Sequence, residues 1–405
     1  MARFTYTAQR ADGEVYTGSA TARDRFELYR LVRREGGHIV SLSEDSDTRT
    51  WSFSYWSSRI STVSEYEKVL LARNLGAMLA SGLALARALS VLERQTRNHK
   101  LKSVLAEVSS EVRRGQPLHE ALARFPRTFS NLFIAMVRSG EESGDLSGSL
   151  LAVSEQMERM YQIKKKVRGA LIYPSIIVIA IVVIAVLMMT QVVPTLAETF
   201  REMDADLPLS TQTIIAISDF LVEYTSLALI LFLLVSVGAY MSLRSSTGRR
   251  LAERVLLMTP VIGMLVREVN AARTTRTLSS LLSAGVDVMG SLEIVGSVVQ
   301  NSHFREVIRA AGLAVGKGEP LSSVFARRED LYPAYVGEMI AVGEETGQLT
   351  EMLKRLAVHY EDEVDRKTKD LSTIIEPFLM LLVGGAVGFF ALAMITPIYE
   401  MSQNI

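Results

Sequence analysis

The sequence predicts a mainly α-helical integral membrane protein: two homologous cytoplasmic helical bundles, three transmembrane helices and a small ββαβ N-terminal module. Three observations carry that prediction. Long uncharged stretches interrupt an otherwise normally charged chain, cations flank them with one consistent polarity, and a long segment recurs in a single register. The chain has 405 residues, 48% hydrophobic and 22% charged, with 44 Lys+Arg balancing 44 Asp+Glu. That balance speaks against a protein that coats nucleic acid, and the charged fraction against a disordered chain. There is no cysteine, which removes disulfides, thiolate metal sites and cysteine nucleophiles. Mean hydropathy is +0.21, high beside so many charges, so apolar and charged residues must be segregated along the chain.

In chain order, residues 1–43 read as a small α+β module. Phe4-Thr5-Tyr6 alternates, Asp12-Gly13 signals a hairpin, 14–17 reads as a second strand, 23–34 as an amphipathic helix and 38–42 as a last strand. Arg3, Arg10, Asp12 and Glu14 break up any apolar core behind the start, so no cleaved signal peptide is expected. Residues 44–62 are polar and serine-rich, a linker. It carries Trp51 and Trp56 with Phe53 and Tyr55, which fit either a loosely docked linker or an interfacial or partner anchor.

The first bundle is expected over 63–168. Ser64 with Glu67 predicts a capping box at its first helix. Over 100–114, Leu101, Val104, Leu105, Val108 and Val112 fall on one helical face. Gly82, Gly115 and Gly140 stand where left-handed caps would end helices, and short connections between helices predict a compact bundle.

Spans are predicted at 171–193, 224–243 and 377–398. At about 1.5 Å per residue each reaches across the roughly 30 Å hydrocarbon core of a bilayer. Lys164, Lys165, Lys166 and Arg168 precede the first span, and only Arg201 follows it, among Glu198, Glu202, Asp204 and Asp206. Arg244, Arg249, Arg250 and Arg254 follow the second; Arg366, Lys367 and Lys369 precede the third, which no cation follows. The bias of cations to the cytoplasmic side puts the N-terminus inside, 194–223 outside as a loop and helix approach, and the 399–405 tail outside.

The second bundle, 244–370, repeats the first. Gly140-Glu141-Glu142-Ser143-Gly144-Asp145-Leu146 recurs as Gly343-Glu344-Glu345-Thr346-Gly347-Gln348-Leu349, an offset of 203. The same gapless offset pairs Arg73 with Arg276, Gly82 with Gly285, Gly115 with Gly318, Pro117 with Pro320, Glu158 with Glu361 and Lys164 with Lys367. It continues into the spans, pairing Pro174 with Pro377 and Pro194 with Pro397. One register kept over such a length marks a duplication. The unpaired second span then has a topological reason: two bundles of common descent share a compartment only if an even number of crossings separates them.

Catalytic patterns fail on inspection. Gly312-Leu313-Ala314-Val315-Gly316-Lys317-Gly318 has three residues between its first glycines where a phosphate loop has four, and glycine where the magnesium-binding hydroxyl belongs. Gly140-x-x-Ser143-Gly144 misses the spacing of a nucleophile elbow. His38, His99, His119, His303 and His359 are scattered, without the paired spacing of a zinc helix. The expectation is no catalytic, cofactor or metal site, and no enzyme. Candidate functional residues are of another kind. Gly140, Glu141, Glu142 and Gly144, with Gly343, Glu344, Glu345 and Gly347, form paired acidic turns. Glu141 and Glu142 read as following a helix end and favouring the dipole of the helix beginning near Asp145; an acidic contact for a partner is the other reading. Lys164, Lys166, Pro174, Lys367, Lys369, Glu376 and Pro377 mark the membrane approaches, and Gly384 and Gly388 suit close packing of the third span.

Taken together, these features resemble the type II secretion F family. The resemblance rests on the duplicated Gly-Glu-x-Ser/Thr-Gly, the basic approaches to Ile172-Tyr173-Pro174 and Ile375-Glu376-Pro377, the chain end Pro397-Ile398-Tyr399, where the family more often ends in Phe, and the Phe4-x-Tyr6 opening with Gly13. It implies a non-enzymatic platform, without cofactor, in the bacterial cytoplasmic membrane. Such a platform binds a hexameric assembly ATPase and couples it to extraction and polymerisation of pilin or pseudopilin subunits. Other inner-membrane assembly components and the lipid bilayer are implied partners, with a homo-oligomer and no nucleic acid. The run 161–168 is expected to continue into the first span and pass bundle motion on. A transporter and a membrane-bound adaptor or sensor are the alternatives; the spans lack the mid-bilayer charge a transport site draws on.

Overall fold

The computed structural model of the chain describes residues 2–10, 15–22, 32, 37–45, 62–202, 208–260 and 262–403. The chain divides into two units, 1–63 with 93–105, and 64–92 with 106–405. In the first, β1 (Ala2–Arg10), β2 (Val15–Ala22) and β3 (Gly37–Asp45) form a sheet of order β2-β1-β3. Both pairings are antiparallel, Tyr6 standing opposite Gly18 on β2 and Leu42 on β3. The Asp12-Gly13 turn, the helix expected over 23–34 apart from Val32, and residues 46–61 of the linker with both tryptophans lie outside the described residues.

Beyond residue 62 the described chain is helical. The first copy contributes α1 (Glu65–Ala80), α2 (Leu85–Gln95), α3 (His99–Arg113), α4 (Leu118–Ala123), α5 (Asn131–Ser143) and α6 (Leu146–Leu187). A π-helical turn, Met188–Val192, leads into α7 (Val193–Glu202), followed by α8 (Leu209–Glu223), α9 (Thr225–Arg244) and α10 (Ser246–Met258). The second copy contributes α11 (Ile262–Ser283), α12 (Val288–Val298), α13 (Ser302–Val315), α14 (Leu321–Ala326), α15 (Ala334–Glu345) and α16 (Leu349–Gln403). Five of the six helix starts keep the sequence offset, 85 against 288, 99 against 302, 118 against 321, 131 against 334 and 146 against 349. So do the left-handed glycines, Gly82 with Gly285, Gly115 with Gly318, and Gly144 with Gly347.

Local chemistry explains these boundaries. The Ser64 side chain accepts from the Glu67 N–H while the Glu67 carboxylate accepts from the Ser64 N–H, closing the capping box at α1. On α3 the predicted face is buried at Leu101, Val104, Leu105 and Val108, and α13 buries Phe304, Val307, Ile308 and Ala311 at the matching positions. One expected boundary is wrong. Gly140 does not end a helix: α5 runs through it to Ser143, and the left-handed residue is Gly144, with φ of 77°. Gly140 serves close packing instead, since a Cβ there would stand 2.6 Å from the Ser149 Cβ on α6.

In each copy the first helix and the Gly-Glu helix pack against the long one: α1 and α5 on α6, α11 and α15 on α16. Among the described residues three helical stretches are long and apolar enough to cross a membrane, 146–199, 225–244 and 349–392. At most 6% of their most apolar windows is buried by the protein itself, which leaves their apolar side chains facing out, as lipid-embedded helices require. The segment expected outside as a loop and helix approach is helical over Val193–Glu202 and Leu209–Glu223. α7 and α8 close on a small core of Val193, Ala197, Ile214 and Ile215, against which Met189, Leu196 and Phe390 pack. Arg201 and Asp219 pair across it at 2.8 Å, and the Ser218 hydroxyl donates to the Met189 carbonyl in the π turn at 2.6 Å.

Candidate functional site

The first glutamate of each acidic pair bonds the start of a neighbouring helix. The Glu141 carboxylate accepts from the N–H of Leu118 at 2.6 Å and of His119 at 3.0 Å, and His119 Nδ1 lies 2.5 Å from it. In the second copy Glu344 accepts from the N–H of Leu321 at 2.6 Å and of Ser322 at 3.1 Å. These are the first amides of α4 and α14, whose N-cap positions are Pro117 and Pro320. Proline carries no side-chain acceptor, so a carboxylate from the neighbouring helix supplies one. The helix served is therefore not the one expected. α6 is capped by its own Asp145, which accepts from the Gly148 N–H at 2.9 Å. Glu142 pairs only locally, with Arg138 at 2.8 Å, and both Glu142 and Glu345 are exposed. Gly343 repeats the close approach of Gly140, a Cβ there falling 2.9 Å from Leu349 Cα.

The basic approaches are pinned in duplicate. Lys164 pairs with Glu65 at 2.8 Å, and Lys367 pairs with Glu268 at the matching positions of copy two. Arg73 reaches Glu158 at 3.5 Å, and its counterpart Arg276 holds Glu361 by two bonds of 2.7 and 2.8 Å. Each pair ties the first helix of a bundle to the long helix that enters the membrane. The copies differ in burial: the Arg276 and Glu361 side chains are 10% and 12% exposed, those of Arg73 and Glu158 47% and 23%. Asp365 joins the two long helices, accepting from Lys166 on α6 at 2.6 Å and from Lys369 on α16 at 2.9 Å. Those two ammonium groups hold its carboxyl below the usual carboxylate range.

Sequence reasoning missed the seam between the copies. Gln156, on α6, is buried; its amide donates to Thr277 Oγ1 at 3.0 Å and its oxygen accepts from Ser280 Oγ at 3.2 Å, both on α11. The Ser139 hydroxyl donates to the Ala284 carbonyl nearby. A signal for this seam was present. At the repeat offset Gln156 aligns with His359, Thr277 with Asn74 and Ser280 with Ala77, so the duplication diverges where the copies meet. A cavity of about 400 Å³ opens at the seam, with Glu65, Lys68, Lys164 and Arg273 among its lining.

The remaining candidates lie on the long helices, away from these bonds. Pro174 is buried within α6, and Pro377 and Glu376 are exposed on α16. Gly384 and Gly388 face open space, with nothing within 4 Å of a Cβ built on either. Among the described residues no group of three or more His, Asp or Glu is arranged to hold a metal ion.

What folds here is a duplicated helical membrane protein in which each copy is a bundle fused to a long helix that carries a span. A family model recognises the same duplication: type II secretion system protein F matches residues 71–194 and again 274–397. The chain belongs to that family. It is 32% identical to a type IV pilus assembly protein PilC of Thermus thermophilus, over 99% of this chain and 98% of that one. A PilC of Pseudomonas aeruginosa is 30% identical over 83% of this chain and 90% of its own length. A type II secretion system protein F of Vibrio cholerae is 29% identical over 100% and 99%. With its three apolar helices, membership makes the chain a multi-pass inner-membrane protein.

Proposed function

We propose that the chain is the inner-membrane platform of a machine that assembles a type IV pilus or the pseudopilus of a type II secretion system. The relatives' names speak for that role. The observation that carries it is continuity: α6 runs without a break from Leu146 in the first bundle to Leu187, and α16 from Leu349 to Gln403. A displacement imposed on either bundle is thereby delivered into the bilayer. The bundles, 63–168 and 244–370, are the faces offered to a hexameric assembly ATPase, and the spans are the faces offered to pilin or pseudopilin subunits. The N-terminus, with its ββαβ module, lies in the cytoplasm and the C-terminus outside, as the flanking cations demand. The platform is a homo-oligomer and contributes no catalysis of its own. Glu141 and Glu344 act as structural caps, and Glu142 and Glu345, exposed beside them, are the partner-facing carboxylates.

Inserting flexible glycines after Arg168 interrupts α6 between bundle and span. The expected outcome is loss of pilus or pseudopilus assembly in a complementation assay, with capture of the ATPase by the purified protein retained. Normal assembly by the insertion variant would refute mechanical coupling through α6.

A further inference from the structure

We propose that α10 lies flat in the cytoplasmic leaflet, its apolar face among the lipid acyl chains and its polar face on the second bundle. An amphipathic helix in water turns its apolar stripe to the core; α10 does the reverse. Leu251, Val255 and Met258 form one stripe and are 64%, 56% and 76% exposed. The polar face is bonded down. Arg250 pairs with Glu306 at 2.7 Å, and Arg249 Nη2 donates to the Gln300 carbonyl at 2.6 Å. Glu253 accepts from the Ser302 N–H at 2.8 Å and from its hydroxyl at 2.5 Å, at the start of α13. Burial works against the Glu253 charge, but the Ser302 and Arg249 bonds prevail and hold its carboxyl below the ordinary range. The helix is thus fixed with its apolar stripe outward.

The surroundings identify what covers that stripe. The span helix α9 ends at Arg244, and α10 begins after the single residue Ser245. α11 runs antiparallel to α16, Glu268 against Lys367 and Arg276 against Glu361, so the start of α11 is its end nearest the third span. α10 meets α11 there at 108°. A helix turned that far from a rod aligned with a span lies near the plane of the bilayer, at the level where the spans enter it. With Arg249 and Arg250 engaged by the bundle, Arg254 on α10 and Arg244 just before it suit anionic headgroups. α11 cannot share the lipid, because it buries Glu268, Asn270 and Arg276 within the bundle.

The chain has no cysteine, so single-cysteine variants of the full protein take an environment-sensitive NBD label without background. The positions are Leu251→Cys, Val255→Cys and Met258→Cys, each an independent test, in vesicles of phosphatidylcholine with phosphatidylglycerol. A helix seated about 5–10 Å into the leaflet gives blue-shifted emission, quenched at least about twofold more by a shallow doxyl lipid than by a mid-chain one. Leu313→Cys on α13, at a site 71% exposed, supplies the water reference, and Leu233→Cys within α9 the mid-bilayer reference. Emission matching the Leu313→Cys label would overturn the proposal. Deep quenching matching Leu233→Cys would also overturn it, making α10 part of a broken span. Blue-shifted emission that neither lipid quenches would do the same, because a protein surface then covers the stripe.

Discussion

Glu141 and Glu344 each close the open amides of a helix that begins after proline. A helix start without such an acceptor leaves several N–H groups unbonded, and the loss of one capping side chain costs about 1–2 kcal/mol. Glu141→Gln and Glu344→Gln are therefore each expected to lower the unfolding free energy of the purified protein by about 1–2 kcal/mol, measured by denaturant titration in detergent. Glu142→Gln and Glu345→Gln, at exposed positions, should stay within about 0.5 kcal/mol of the parent. The recurrence of the doublet was legible in the sequence. Its partner was not: Glu141 bonds amides 23 and 22 residues earlier in the chain, and only the folded approach of α5 to α4 brings them together.

At the scale of helices, duplication has kept the pairs and changed their setting. The Arg73–Glu158 link is long and largely wet, whereas Arg276–Glu361 is bidentate and nearly dry. Exposed pairs contribute about 0–1 kcal/mol, while removing one partner of a buried pair costs about 3–5 kcal/mol. Arg73→Gln should thus be almost silent and Arg276→Gln clearly destabilising in the same denaturation measurement; equal effects would show that burial does not set the difference. Helix existence and register were readable from capping residues, glycine positions and the apolar face of α3. The end of α5 was not, because Gly140 looks like a cap in sequence and becomes a contact only where α6 crosses it. The small core of the segment after the first span was also hidden, since it is completed by Phe390 from far along the chain.

For the whole molecule, span number followed from composition alone, because lipid demands long uncharged helices and little else does. The polar seam around Gln156 was missed because its only signal is divergence: a repeat points to what two copies share, and the seam is built from what they do not. Topology is the testable property at this scale. Reporter fusions that are active on only one side of the membrane should place the N-terminus in the cytoplasm and the C-terminus outside; activity of both ends on the same side would contradict the assigned odd number of crossings.

The Lys166–Asp365 bond also marks where the two long helices meet at the membrane approach, and a pivot placed there would be a fulcrum for α6. α6 extends about 20 residues to either side of Lys166 within its limits of Leu146 and Leu187, so at 1.5 Å per residue the two arms are each about 30 Å long. A balanced lever neither amplifies nor diminishes; it inverts. Tilting α6 by about 10° about that point would move both its ends about 5 Å, in opposite directions, by the same rise per residue.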